Sequence, residues 1–366
     1  MKKTKKYRRK EVEKMEEKTH RRRVHYSGTH PKRFEEKYKE LNPEKYPETV
    51  QKVIEKGNTP AGMHIPIMTK QILKVLDIKP GENGLDCTLG YGGHTRAMLD
   101  ALEGRGQLTA LDIDSENIVR TRKILEEEGY GDNLNILHIN FKDIDKAAEQ
   151  SGKFDFVLAD LGVSSMQIDD PDRGFSFKVD TELDLRLDPE KGLKGKERLQ
   201  EMEKEEIQYM LIENSDEPFA EEIAERVVAL RKSGHPVETT GDFRKAIEEA
   251  VLKAIEKKEG IKKREKQEMV KKSCQRAFQA LRIDINNEYE VLFEMLEKLP
   301  HVLNEGARVV VLSFHSGEDR IVKKEFKYQK KQGLYREISG KPERPSGRER
   351  FLNPRSASTK LRWAIK

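Results

Sequence analysis

Two carboxylates and a glycine-rich turn stand at a spacing that suits a nucleoside. The stretch Leu85-Asp86-Cys87-Thr88-Leu89-Gly90-Tyr91-Gly92-Gly93-His94 runs from a short apolar segment into an acid, a turn and the start of a helix. Glycines there free the backbone for positive φ and let a ligand press against the main chain. The first N–H groups of the following helix favour a polar or anionic part of that ligand. A second apolar run ends in Asp112, 19 positions after Gly93. In a doubly wound α/β fold an acid at that distance tips the second strand and accepts hydrogen bonds from ribose hydroxyls. An ordinary βαβ turn with a solvated Asp is the structural alternative. The turn lacks the third glycine of a dinucleotide fingerprint and the Gly-Lys-Ser/Thr of a P-loop, and His94 would crowd a pyrophosphate. A nucleoside without phosphates fits better, which points to S-adenosylmethionine.

Asp160, in Asp160-Leu161-Gly162-Val163-Ser164, follows another apolar run. Acceptors at such a strand tip can grip an exocyclic amine and orient its nitrogen toward a sulfonium methyl; a helix N-cap is the plainer role. Methyl transfer to a neutral amine rests mainly on positioning, with a carboxylate or His useful for the departing proton. His315 ends a later strand, with Asp319 and Arg320 about one helical turn away; it is a candidate proton relay or phosphate contact, or part of a structural loop. Arg173, Phe175, Asp184 and Arg186 lie in two short stretches that mix rings, acids and guanidinium groups. They suit a nucleobase pocket, or equally a salt-bridged hinge. No Gly-x-Ser-x-Gly elbow supports a hydrolase triad. No metal is expected, since His315 has no second ligand cluster and Cys87 and Cys274 lack metal-ligand spacing.

The elements needed to hold these residues follow from periodicity. Strands are expected at 84–89, 107–112, 135–139 and 154–159, alternating with helices, with Thr69 as the N-cap of a helix over 69–76. That alternation calls for a parallel sheet covered on both faces, with ligands at the carboxyl ends of its strands. Asp86, Asp112, Phe141 and Asp160 all fall at such ends. From 167 to 275 the strand signal vanishes and helices are expected at 199–213, 218–233, 240–258 and 264–274, with Thr240 or Asp242 capping the third. The α/β pattern then returns, with a helix from Phe278 and a strand ending near Ser313. The expected organisation is a basic extension (1–60), a first α/β part (61–166), an all-helical insertion (167–275) and a second α/β part with a basic tail (276–366).

The 366 residues allow more than one domain. Charged residues make up 37% and the mean hydropathy is −0.84. No apolar run suits a membrane helix or signal peptide, and two distant cysteines suit a reducing cytoplasm. Residues 1–40 hold 16 Lys and Arg against 7 Asp and Glu, and residues 321–366 hold 14 against 4, so basic ends flank an acidic body. Such ends suggest contacts with a polyanion, although solvated tails would read the same way.

The segments Thr88–His94, Leu111–Asp114, Asp160–Ser165, Gln167–Asp170, Arg173–Phe177, Leu183–Asp188, Phe278–Ile283, Ser313–Ser316 with Glu318–Arg320, and Asn353–Ser356 occur in an order that resembles the MraW/RsmH family. These are S-adenosylmethionine-dependent methyltransferases of the exocyclic N4 of a decoding-site cytidine in small-subunit (16S) ribosomal RNA. The resemblance covers about residues 62–366. It implies a class I (Rossmann-like) methyltransferase domain with an all-helical insertion, and cofactor contacts at Gly92, Gly93, His94, Asp112, Phe141, Asp160 and Gln167. On the cytidine side, Asp160, Ser164, Asp184 and His315 are the candidate catalytic residues, with Arg173, Phe175, Arg186 and Arg320 as substrate contacts. The expected partner is ribosomal RNA in the small subunit or an assembly intermediate, met by a monomer or homodimer in the cytoplasm, with no membrane or DNA partner. The alternatives are a methyltransferase of another RNA cytidine and a non-catalytic assembly factor that binds RNA and cofactor. The chain departs from the family at Tyr91 (usually Arg), at 271–276, at 214–217 and at Gly317 (usually Leu), and its basic extension is atypical.

Overall fold

The computed structural model describes residues 66–366, apart from 165, 166, 169 and 257–259. The basic extension expected over 1–60 lies outside the described residues.

In chain order the first part contains α1 (Thr69–Leu76), β1 (Asn83–Asp86), α2 (Gly93–Leu102), β2 (Gln107–Asp112), α3 (Ser115–Glu127), β3 (Leu134–His138), α4 (Ile144–Ser151) and β4 (Phe154–Asp160). Helices α5 (Gly195–Glu201), α6 (Lys204–Ser215), α7 (Ala220–Lys232), α8 (Thr240–Ile255) and α9 (Lys263–Asn286) follow. The chain closes with α10 (Glu288–Lys298), β5 (Leu303–Ser313), α11 (Ser316–Lys331), β6 (Glu337–Ile338), α12 (Gly347–Leu352) and β7 (Lys360–Ile365). The sheet order is β3-β2-β1-β4-β5-β7-β6. β1 to β5 pair in parallel, while β7 runs antiparallel to both β5 and β6.

Both faces of the sheet are covered, which is why its strands read as nearly unbroken apolar runs. Val157, Val309 and Val311 pack toward Leu292, Met295 and Phe326 of α10 and α11. Their alternates Phe156, Leu158, Val310 and Leu312 pack toward Ile72, Leu76, Met98 and Leu102 of α1 and α2. Gly84 in β1 lies under the Phe156 ring, where a Cβ would come within 2.0 Å. The parallel strands thus deliver Asp86, Asp112 and Asp160 to one edge.

The helical layer has a core of its own, in which Ile207, Leu211, Ile223, Val227, Phe243, Ile247, Phe278 and Leu281 are buried together. Helix α9 runs unbroken through 275/276, where the sequence reading set a boundary and split two helices. Cys274, Ala277, Phe278 and Leu281 recur at helical spacing on its buried face, and nothing between them breaks a helix. The single helix expected at 199–213 is two, α5 and α6. Met202 is extended (ψ 137°), and the Arg231 guanidinium fills the break by donating to the carbonyls of Gln200 and Met202 at 2.5 and 2.8 Å. Helix α8 is capped by Thr239, whose hydroxyl accepts the Asp242 N–H, not by Thr240. Thr69 does not cap α1 either: Met68 holds the cap position, and the Thr69 hydroxyl donates to the Pro66 carbonyl.

Candidate active site

The glycine turn between β1 and α2 is fixed from below by α3. Gly90 and Gly92 have φ of 49° and 73°, conformations that suit glycine. Asp112 Oδ2 accepts the Gly90 N–H at 3.0 Å and the Asn117 amide at 2.8 Å, while its Oδ1 accepts the Asp114 N–H at 3.0 Å. The Gly90 carbonyl in turn accepts from Asn117 and Thr121. Burial raises the Asp112 carboxyl above its ordinary range, against the hydrogen bonds that lower it. A carboxylate has about four acceptor positions, so Asp112 keeps capacity for a ligand hydroxyl. Asn117 was not singled out in the sequence; its signal was its place in the first turn of the helix after Asp112.

Beside the turn lie three more ionisable groups. Asp86 is fully buried and accepts from the Thr88 N–H at 3.0 Å and the Thr95 hydroxyl at 2.7 Å. Burial raises its carboxyl as well. His94 Nε2 stands 3.5 Å from Asp160 Oδ2. Both His94 ring nitrogens and Asp160 Oδ1 are buried without a hydrogen-bond partner among the described residues. Orphaned buried polar atoms are uncommon in folded proteins, and these face a cavity. Asp160 is not a helix cap; its own N–H donates to Thr88 Oγ1 at 2.9 Å. The loop after it is pinned reciprocally, with Ser164 N–H donating to Gln167 Oε1 and Gln167 N–H to Ser164 Oγ.

Across the cavity, His315 caps α11 and packs its ring against Tyr289. Glu318 Oε1 is 3.0 Å from His315 Nε2, and its other oxygen accepts the Phe314 N–H at 2.7 Å. Burial pushes the Glu318 carboxyl up, but His315, the Phe314 N–H and Arg282 outweigh it and hold the group below its ordinary range. Arg282 donates to both oxygens of Glu288, at 2.7 and 2.9 Å. Along the sequence His315 has no second ligand cluster beside it. The fold supplies one, since ligand atoms of Glu288, His315 and Glu318 lie within 4.8 Å of one another. Arg282 already neutralises Glu288, however, so the arrangement is an ion-pair network.

Gly93, His94, Asp112, Phe141, Asp160, Ser164, Gln167, Phe175 and His315 all line one cavity of about 1300 Å³. Other expected site residues do not. Gly92 is buried against α3 instead, where a Cβ would meet Thr121 and Leu125 at 3.1 and 3.2 Å. Arg173 bonds to Asp114 and to the carbonyls of Arg186 and Leu187. Asp184 and Arg186 pair with each other, Nε to Oδ1 at 2.7 Å and Nη2 to Oδ2 at 2.8 Å. Of the two roles open to these three residues, a nucleobase pocket or a salt-bridged hinge, the contacts are those of the hinge: Asp184 and Arg186 satisfy each other, and Arg173 ties the hinge to Asp114 after β2. Arg320 is exposed, 3.8 Å from Asp216. The hinge has one strained point: Leu185, buried at φ 68°, lines the cavity and is held by the Asn286 amide at its carbonyl. Cys87 also faces the cavity, but burial raises its thiol far above the ordinary range, which removes it as a nucleophile.

A cavity of this size exceeds the roughly 300–1,000 Å³ usual for one ligand. Asp112 suits a ribose, the Phe141 ring suits a flat base, and the unpartnered Asp160 and His94 atoms suit a polar reacting group. The donors and the cradle beside Gly93 fit S-adenosylmethionine. The sheet order, with its single antiparallel insertion between β5 and β6, is that of class I S-adenosylmethionine-dependent methyltransferases.

Residues 61–366 match the MraW methylase family, and the chain belongs to that family. It is 56% identical over 352 residues to ribosomal RNA small subunit methyltransferase H 1 of Lachnoclostridium phytofermentans, covering 96% of this chain and 94% of that protein. It is 53% identical to the protein of the same name in Agathobacter rectalis, covering 96% and 99%. A Clostridioides difficile relative named ribosomal RNA small subunit methyltransferase H is 34% identical and covers 83% of this chain and 98% of its own. The longer alignments necessarily take in most of the basic extension, so that segment is shared with the first two relatives.

Proposed function

We propose that this chain methylates the exocyclic N4 of a cytidine in 16S ribosomal RNA, acting in the cytoplasm on the small subunit or an assembly intermediate. The observation that carries the reading is the orphaned Asp160 Oδ1 beside His94, at the carboxyl end of β4 in a cavity too large for one nucleoside. The bound cofactor supplies a methyl group on a positively charged sulfur. Asp112 anchors the cofactor ribose and Phe141 flanks its base. Asp160 accepts an N–H of the target amine, turns its lone pair toward the methyl group, and takes up the proton released after transfer. Positioning supplies most of the rate. The target base must leave its stack to reach Asp160, so unpaired or partly assembled RNA is the substrate.

Mass spectrometry of 16S ribosomal RNA from cells with and without the gene tests this directly: one cytidine loses its N4 methyl group in the knockout. Asp160→Asn is expected to lower kcat by about 10²-fold or more. Unmodified RNA in wild-type cells, or full activity in the variant, overturns the reading.

A further inference from the structure

Phe351 is the most exposed large apolar side chain among the described residues, at 84%. It sits on α12, and α12 is not a loose end. The Ser346 hydroxyl caps it by accepting the Glu349 N–H. The Glu349 carboxylate accepts the Met68 N–H at 2.5 Å, next to Pro66 and Ile67 of the cavity wall. Asn353, two residues beyond Phe351, lines the cavity together with Arg355 and Ser358. The preceding segment is fixed by paired hydrogen bonds between Glu343 and Leu361 of β7, both 2.9 Å. A scaffold anchored at Met68 and β7 therefore presents an aromatic ring to solvent two residues before Asn353 of the cavity wall.

The charge around the ring is one-sided. Lys341, Arg344, Arg348 and Arg350 are exposed and have no carboxylate partner among the described residues. The two acids of the segment are Glu343, exposed beside Leu361, and Glu349, held by Met68. An exposed ring amid unpaired guanidinium groups suits a single-stranded nucleic acid, whose bases stack on aromatic faces while phosphates meet the cations. An apolar protein partner would leave those charges to be desolvated.

We propose that Phe351 is a stacking platform for a nucleotide flanking the target base, with Arg344, Arg348 and Arg350 contacting the adjoining phosphates. This rests on the RNA reading above and adds the surface that holds the strand once the target is extruded. Because the side chain is outside the core, Phe351→Ala leaves folding intact.

The test measures binding and turnover separately, using an RNA hairpin with the target cytidine in its loop and a second RNA trimmed of flanking loop nucleotides. Phe351→Ala is expected to raise Kd and KM for the full loop about tenfold, with kcat and S-adenosylmethionine affinity unchanged, no effect on the trimmed RNA, and recovery in Phe351→Trp. Replacing the three arginines by Gln lowers the slope of log Kd against log salt by about 2. Equal KM for wild type and Phe351→Ala on the full loop overturns the platform and leaves the methyltransferase reading standing. Phe351-dependent RNA binding without methyl transfer by the wild type does the reverse. Conversion of a dimer to a monomer by Phe351→Ala in sedimentation, with RNA affinity unchanged, makes the surface a contact between copies and also overturns the platform.

Discussion

Arg173 Nη1 donates to Asp114 Oδ2 at 2.6 Å, joining the first turn of the helical hinge to the loop that follows β2. Their side chains are only 16% and 3% exposed. Asp114 also caps α3 through the Asn117 N–H, and Asn117 holds Asp112 and Gly90. A residue expected to meet the substrate thus secures the cofactor side from behind. Removing one partner of a buried pair leaves an uncompensated charge, so Arg173→Ala is expected to cost about 3–5 kcal/mol, read by urea denaturation. It should weaken S-adenosylmethionine binding in step. Unchanged stability with weakened RNA binding would make Arg173 a substrate ligand after all.

Asp112 gives a pH signature. Burial raises its carboxyl in the free protein, and the ionised form is the one that accepts ribose hydroxyls. Cofactor affinity is therefore complete above the raised value and falls as pH drops through it, starting at a higher pH than an ordinary Asp would give. Folding responds in the opposite sense, since a raised carboxyl favours the native state as pH falls. Calorimetric titration across pH should show the affinity loss in the wild type. In Asp112→Asn the affinity should be lower at neutral pH and that part of its pH dependence absent. An identical pH profile in the variant would remove Asp112 from the ribose site.

Glu318 titrates the other way. Burial alone would raise it, but His315, the Phe314 N–H and Arg282 hold it below its ordinary range. Its stabilisation is complete above the unfolded-state value and is lost as pH falls through the lower native one. Glu318→Gln should cost roughly 1–3 kcal/mol at neutral pH, and the gap to wild type should close on acidification. A gap that stays constant in acid denaturation curves would contradict the ion-pair account.

The strand tips were legible because a parallel sheet leaves two signals, apolar runs and the acids that end them. Asp86, Asp112 and Asp160 needed no knowledge of neighbours. A salt-bridged hinge was one of two readings of its residues, but the pairing within it was not legible, because that depends on which opposite charges meet first. Arg186 and Asp184 are two residues apart and satisfy each other. Arg173 finds Asp114, 59 residues away, a contact that no local pattern announces. Arg282 stood in a recognised motif without a role; its partner Glu288 lies beyond the end of α9, out of reach of helical spacing rules. Phe351 carries no local signal: its exposure depends on the anchoring of α12 through Glu349 to Met68, 281 residues away.

Gly317, where the family usually carries Leu, tests how one departure was absorbed. A Cβ at this position would come 2.0 Å from the Tyr289 hydroxyl and 2.7 Å from Cζ. That hydroxyl donates to the Asn214 carbonyl at 3.1 Å, so the ring cannot withdraw freely, and it also packs on His315 at 6.0 Å between centroids. The volume given up at 317 is thus occupied by Tyr289. In a helix Ala is favoured over Gly by about 1 kcal/mol, yet overpacking costs roughly 1–3 kcal/mol, so Gly317→Ala should destabilise and disturb the His315 side of the cavity. In a Tyr289→Ala background the collision is gone and the same substitution should be neutral or stabilising. The double-mutant cycle in urea should therefore show a coupling of at least about 1 kcal/mol. Strict additivity would mean that α11 moves away from Tyr289 without cost and that the glycine is not there for the ring.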